Sequence, residues 1–297
     1  NLFGLDIDDR AAQLATFAIL LKAAKKYRDI WHKDWLPNVY AMPEGQDFSM
    51  QEVKDFLGAE GTDYAEELEA ALRLMKQAKN LGSLVIPKLK DPKECLRVVE
   101  AHDLGGDMFR AKLRERLLTV LRMSEALSSK YHAVVANPPY LGSKGMNGPL
   151  GDYAKKEYPN SKSDLFAMFM ERTLALAVKR GMMAMINMQS WMFLSSYEKL
   201  RGKLLSDATL LSMAHLGERG FDTIGGAVVS TTAFVFAKER HKDLRGEYVR
   251  LIDGRNEAEK ANQFKEAIQT PNCGWFYRAS ANDFEKIPRS PIAYWLS

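Results

Sequence analysis

The alternation of apolar and polar positions divides the chain into strands, helices and a long helical middle. Residues 2–7 read as a short strand ending in acids. Asp8 then starts a helix whose apolar positions Ala11, Leu14, Ala15, Ala18 and Leu21 recur at helical spacing. Residues 37–42 read as the next strand, closed by Pro43 and Gly45. Strand, helix, strand is the grammar of a parallel α/β sheet. From about Phe48 to Lys130 the spacing turns helical. Ser49…Glu52 and Asp63…Glu66 fit capping boxes, and Asp91-Pro92-Lys93-Glu94 supplies a cap, a first-turn proline and a glutamate at the third position. Residues 81–86 interrupt this run as a strand candidate, and 108–128 carry apolar residues at helical spacing with charges outside.

The strand and helix rhythm then returns. Ala133-Val134-Val135-Ala136 is an unbroken apolar run that suits a buried parallel strand. Ser161…Asp164 opens a helix expected to run through Lys179, and 182–188 form a methionine-rich strand that reads as core filling. Ser195…Glu198 is expected to cap the following helix. Residues 210–216 and the β-branched, aromatic run 228–236 are strands. Beyond Arg240 the signal thins, and Leu251-Ile252 is the clearest strand candidate there.

Composition narrows the class without deciding it. Of 297 residues, 46% are hydrophobic and 27% charged, ordinary values for a globular protein and unlike those of a disordered one. The net charge of +4 permits a nucleic-acid partner without demanding one. Cys95 and Cys273 lack CxxC spacing, so neither a zinc site nor a disulfide framework is expected, and a reducing cytoplasm is the simplest location. No apolar run approaches the roughly 20 residues of a membrane span, so no membrane partner is expected. His32, His102, His132, His215 and His241 are scattered without metal spacing and read as structural or surface residues; no metal is expected. The Lys22, Lys25 and Lys26 cluster reads as a solvated helix face.

The sharpest chemical feature is Asn137-Pro138-Pro139-Tyr140 directly after the apolar strand. Ligands of open α/β sheets bind at the carboxyl ends of strands, where this tetrapeptide falls. Two successive prolines fix φ and withdraw backbone donors, leaving a stiff turn with bare carbonyls. An amide side chain beside such a carbonyl can accept both hydrogens of one exocyclic amine, and Tyr140 offers a flat face to a heteroaromatic ring. The group describes a clamp for a planar base bearing an amino group, although Asn-Pro-Pro also punctuates ordinary loops.

Strand plus Asn137-Pro138-Pro139-Tyr140 resembles the signature of the S-adenosylmethionine-dependent adenine (N6) methyltransferases of DNA. The resemblance runs from Asn1 to about Lys238. It implies a Rossmann-like class I methyltransferase fold of the α/β class, with a mixed seven-stranded sheet, here lacking its first strand and glycine-rich loop and carrying a helical insertion. Asn137, Pro138 and Tyr140 then hold the flipped adenine. Gly4-Leu5-Asp6-Ile7-Asp8 resembles the acidic motif closing the second strand, with Asp6 on the ribose of the cofactor S-adenosyl-L-methionine and Ile7 against its adenine. A carboxylate suits a vicinal diol, though acids after strands also serve as helix caps. Phe169, in the helix after the clamp, matches a position lining the cofactor adenine; plain core packing is the other reading. Phe221, in Gly217-Glu218-Arg219-Gly220-Phe221, matches an aromatic stacking on the base opposite Tyr140, with hairpin packing as its alternative. The final strand resembles the family's seventh.

Within that family the chain is most similar to the BREX phage-defence methyltransferases (PglX-like) and their restriction-fusion relatives, through the helical insertion, Tyr131 to Tyr140, and the tail Ile287 to Trp295. The expected organisation is 1–43, start of the methyltransferase domain; 44–130, helical insertion; 131–240, catalytic half; and 241–297, a linker towards a target-recognition domain. Double-stranded DNA is the implied partner, with other phage-defence or restriction subunits beside it. The family's glycine-rich loop belongs upstream of Asp6, and Gly225-Gly226 is in the wrong place to substitute. The chain therefore reads as a piece of the catalytic domain, itself inactive and weak in cofactor binding. Two further readings stay open: a protein glutamine methyltransferase, which uses the same tetrapeptide, and a non-catalytic DNA-binding subunit.

Overall fold

The computed structural model describes residues 2–33, 35–45, 47–58, 65–222 and 229–296. Asp63 of one expected capping box, Gly225-Gly226 and Val228 lie outside them. The chain forms two compact units, Asn1–Ser129 and Lys130–Ser297.

In the first unit β1 (Phe3–Asp6) pairs in parallel with β2 (Asn38–Ala41). The crossover helix α1 (Asp9–Ala24) starts at Asp8, whose carboxylate accepts the Arg10 and Ala11 amides. The face of α1 picked out by its apolar spacing does not form a core: Leu14 is 68% exposed, Leu21 is exposed, and Ala12 is the buried residue of the helix. The helical segment follows as α2 (Met50–Leu57), α3 (Ala65–Met75), α4 (Ala78–Leu81), α5 (Pro92–Ala101) and α6 (Met108–Ser128). Ser49 and Asp91 cap α2 and α5 as their spacing requires. These helices bury Leu68, Leu72, Met75, Val99, Leu117 and Leu121. The strand expected over 81–86 is instead the end of α4 and a 3-10 turn, Gly82–Leu84. Gly82 sits at φ 57°, a left-handed conformation that breaks an extended run.

The second unit opens with β3 (Tyr131–Ala136) and continues α7 (Gly148–Glu157), α8 (Leu165–Leu176), β4 (Ala177–Met188), α9 (Glu198–Asp207), β5 (Thr209–Gly217), β6 (Thr231–Ala237) and β7 (Gly246–Arg250). It closes with α10 (Glu257–Gln269), β8 (Phe276–Ala279) and α11 (Ala281–Glu285). The strands form one six-stranded sheet in the order β3-β4-β6-β5-β7-β8. β3 with β4 and β5 with β7 are parallel, while β6, the strand resembling the family's seventh, runs antiparallel between β4 and β5. The described strands form a two-stranded and a six-stranded sheet, within the mixed α/β class expected.

The carboxyl ends of β3, β4, β5 and β7 gather along one rim. Below it, α8 and α9 cover a face built on Phe166, Met170, Trp191, Leu200, Leu204, Phe234 and Phe236. Each such side chain contributes about 1.5–3 kcal/mol by leaving water. The other face is only partly covered: a 640 Å³ concavity lined by Val135, Ala184, Ile186, Ala214, Val235 and Phe264 lies over it. Val135 is consequently 77% exposed, so β3 is not the buried strand its apolar run suggested.

Three local expectations change. Asp164, not Ser161, is the N-cap of α8, and Lys179 belongs to β4 because the helix ends at Leu176. Ser195 starts a 3-10 turn, Ser195–Tyr197, and makes no side-chain cap to α9. Residues 241–297, expected as a linker, supply β7, β8, α10 and α11. Tyr248, Val249, Leu251, Ala267, Phe284, Ile292 and Tyr294 are all buried, which fixes this segment to the sheet.

Candidate functional site

β3 delivers the tetrapeptide to the rim. Asn137 is exposed, and its side-chain amide makes no hydrogen bond to the described residues. Pro138 is buried, and its carbonyl likewise accepts no hydrogen bond from them. Two acceptors one residue apart are thus left unused on a stiff turn. Tyr140 is half-buried, its ring set edge-on against Phe166 at 6.2 Å and 87°. Burial raises its pKa, so the phenol keeps its proton.

The loop after Tyr140 is fastened to the start of α8. Asp164 Oδ1 accepts the Leu141 amide at 3.1 Å and the Phe166 amide at 3.3 Å. Leu165 N donates to the Leu141 carbonyl at 3.1 Å, and Ser143 N to the Ser163 carbonyl at 2.9 Å. Asp164 is itself buried; desolvation raises its pKa against the pull of these amides. One carboxylate therefore caps a helix and sets the turn carrying Tyr140. The sequence placed the helix start at Ser161 rather than Asp164, and the reach of Asp164 to Leu141 was hidden because that contact joins residues 23 apart.

Phe169 lies on α8, half-buried against the main core. Phe221 follows β5 on the same rim and is partly exposed. A polar network that sequence reasoning passed over also lies here. His215, buried near the end of β5, meets Gln189 Oε1 through Nε2 at 2.6 Å and Tyr294 Oη through Nδ1 at 2.9 Å. An amide oxygen only accepts, so Nε2 carries the proton and Nδ1 accepts from the tyrosine hydroxyl. Burial, then Arg250 and Lys260, push His215 down to about 4, and the ring is neutral at pH 7. Its signal in the sequence was a polar residue in step with buried Met213 on β5.

In the first unit Asp6 ends β1, and its Oδ1 accepts the Asp8 amide at 2.8 Å. A carboxylate has a second oxygen, so acceptor capacity remains for a hydroxyl. Ile7 is exposed, with Cδ1 3.8 Å from where a side chain on Gly82 would begin. Lys79 donates to the Ile7 carbonyl at 2.9 Å and pairs with Asp9 at 2.7 Å, fixing the turn after β1. Acid, exposed aliphatic and glycine turn together fit the adenosine end of a nucleoside cofactor. Among the described residues no group of three His, Cys, Asp or Glu is placed to hold a metal, and no helix is long and apolar enough to cross a membrane.

A mixed sheet with an antiparallel strand set inside it, bearing Asn-Pro-Pro-Tyr at its carboxyl rim, defines an α/β protein of the methyltransferase class. The chain belongs to the Eco57I restriction-modification methylase family, whose model matches residues 1–221. It is 41% identical over 320 aligned residues to the adenine-specific methyltransferase BrxX of Escherichia coli O9:H4 (strain HS), which covers 100% of this chain and 26% of the relative. It is also 41% identical over 305 residues to the adenine-specific methyltransferase PglX of Lacticaseibacillus casei (strain Zhang), covering 100% and 25%. The chain thus spans about a quarter of the length of these relatives. A type I restriction-modification methyltransferase subunit from Streptococcus thermophilus is similar at a TM-score of 0.40 and 11% identity, over 59% of this chain and 45% of that one. The type IIG restriction endonuclease BpuSI is similar at a TM-score of 0.41 and 14% identity, over 62% and 25%.

Proposed function

We propose that this chain is the catalytic part of a DNA adenine methyltransferase that transfers a methyl group from S-adenosyl-L-methionine to the exocyclic amine of an adenine turned out of the duplex. The observation that carries the reading is the exposed amide of Asn137, one residue before the Pro138 carbonyl at the rim of the sheet, both without a hydrogen-bond partner among the described residues. Family membership and the two adenine-specific relatives support it.

Turning the base out costs roughly a few kcal/mol. Stacking on Tyr140, and on Phe221 from the other side, recovers about 1–3 kcal/mol per face. Asn137 Oδ1 and the Pro138 carbonyl each accept one amine N–H, which turns the nitrogen lone pair out of the ring plane. By the resemblance to the family, Asp6 is assigned to the cofactor's ribose, Ile7 to its adenine, and Phe169 to an adenine-lining position. When bound, the cofactor supplies a methyl group on a positively charged sulfur. The chain's contribution is then positioning rather than covalent chemistry. Cys95 does not suit a nucleophilic route to cytosine carbon, being buried and pushed up to about 11. The system served is restriction-modification or phage defence, with double-stranded DNA as partner.

The test supplies radiolabelled S-adenosylmethionine to the protein at its natural length, with unmethylated duplex DNA or protein acceptors. Label in adenine of DNA is the expected result. Label in protein glutamine, or in no acceptor, overturns the proposal.

A further inference from the structure

Phe221 stands on the segment Gly217-Glu218-Arg219-Gly220-Phe221-Asp222 that leaves β5. Three contacts at this segment and the strand residue before it come from one stretch, residues 251–260. Lys260 donates to the Leu216 carbonyl at 2.7 Å and to the Leu251 carbonyl at 2.6 Å, so a single ammonium ties the end of β5 to the residue after β7. Asp222 Oδ1 accepts the Glu257 amide at 3.2 Å, one of the donors that the first turn of α10 leaves without a helical partner. Gly217 has φ 65°, and a β-carbon there would meet Ile252 Cγ2 at 2.9 Å, so the segment leaves the strand against the Ile252 side chain.

Lys260 is only 2% exposed, and desolvation lowers its pKa. A buried ammonium is costly where methionine would fill similar space without charge. What the lysine adds is directional: one donor group holds a carbonyl of β5 and the carbonyl that follows β7. Asp222 adds a second tether directly beside Phe221.

We propose that Lys260 and Asp222 are positioning residues for the base pocket, fixing where Phe221 stands relative to Asn137-Pro138-Pro139-Tyr140. α10 and the turn before it are a buttress for the aromatic wall opposite Tyr140. This rests on the adenine-methyltransferase reading above.

The test uses the protein at its natural length and two duplexes: one with adenine at the target position, on which kcat is measured, and one with 2-aminopurine there, whose fluorescence reports how the turned-out base is stacked. Variants are Lys260→Met, Asp222→Ala and the conservative Asp222→Asn. Lys260→Met and Asp222→Ala are expected to lower kcat at least tenfold and to alter the 2-aminopurine signal, with KM for S-adenosylmethionine within twofold of wild type. Asp222→Asn keeps an acceptor oxygen and is expected to recover most of both signals. Should Lys260→Met fail to fold, exposed Asp222 decides alone. Wild-type kcat and fluorescence in Asp222→Ala, with the wild-type protein active on DNA, overturn this inference and leave the function standing. A wild-type protein that transfers no methyl group to DNA overturns both.

Discussion

Replacing Asp164 with alanine removes one buried carboxylate that serves two elements. The Phe166 amide loses the helix cap, worth about 1 kcal/mol, and the part-buried Leu141 amide is left without its acceptor, at about 1–3 kcal/mol. Burial already disfavours the charge, as the raised pKa of Asp164 records, and this offsets part of the loss. A net local cost of about 2 kcal/mol follows, equivalent to roughly a 30-fold rise in the open population of the loop. Hydrogen exchange of the peptide spanning residues 138–146, followed by mass spectrometry, reads that population without requiring the whole chain to unfold in one step. Asp164→Ala should speed exchange in this peptide about 30-fold and leave the helices of the first unit unchanged. Asp164→Asn retains one acceptor oxygen and should show a few-fold effect. Exchange within twofold of wild type in the alanine variant would refute the claim that this carboxylate fixes the turn carrying Tyr140.

His215 makes stability depend on pH. Its folded-state value is depressed to about 4 from an ordinary 6.5, so the unfolded chain takes the proton first. The contribution is complete above pH 6.5, falls as pH drops from 6.5 towards 4, and totals about 3 kcal/mol. Denaturant titrations at pH 7.5, 5.5 and 4.5 should show a smaller acid loss in His215→Phe than in wild type; equal slopes contradict the assignment. Cys95 is buried with its thiol pushed up to about 11, whereas Cys273 is partly exposed. Thiol titration at pH 8 should count one reactive cysteine in the native chain and two after denaturation, and two from the start contradicts the packing around α5.

Much of this was legible locally. The Met108–Ser128 helix, the Asp91 cap with its proline and the strand leading into Asn137 follow from spacing and end chemistry alone. Other features depended on distant partners. Apolar spacing marked α1 as a helix but not which side packs, and Ala12 rather than Leu14 is buried. β7 reads Gly246-Glu247-Tyr248-Val249-Arg250, too short and too charged to announce a strand, and is held by pairing with both β5 and β8. The tetrapeptide was visible because its chemistry sits in four consecutive residues. The Asp164 tether, the His215 network and the Lys260 hold were hidden because each joins segments 9 to 79 residues apart.

Adenine methylation by Asn137→Ala addresses the base clamp directly. N6-methyladenine formed per enzyme in duplex DNA is measured by mass spectrometry for wild type and variant at natural length, with circular dichroism confirming an unchanged fold. Loss of one preorganised acceptor at the reacting amine should lower the rate about 10²–10³-fold. A folded Asn137→Ala protein that methylates adenine at the wild-type rate would contradict the account.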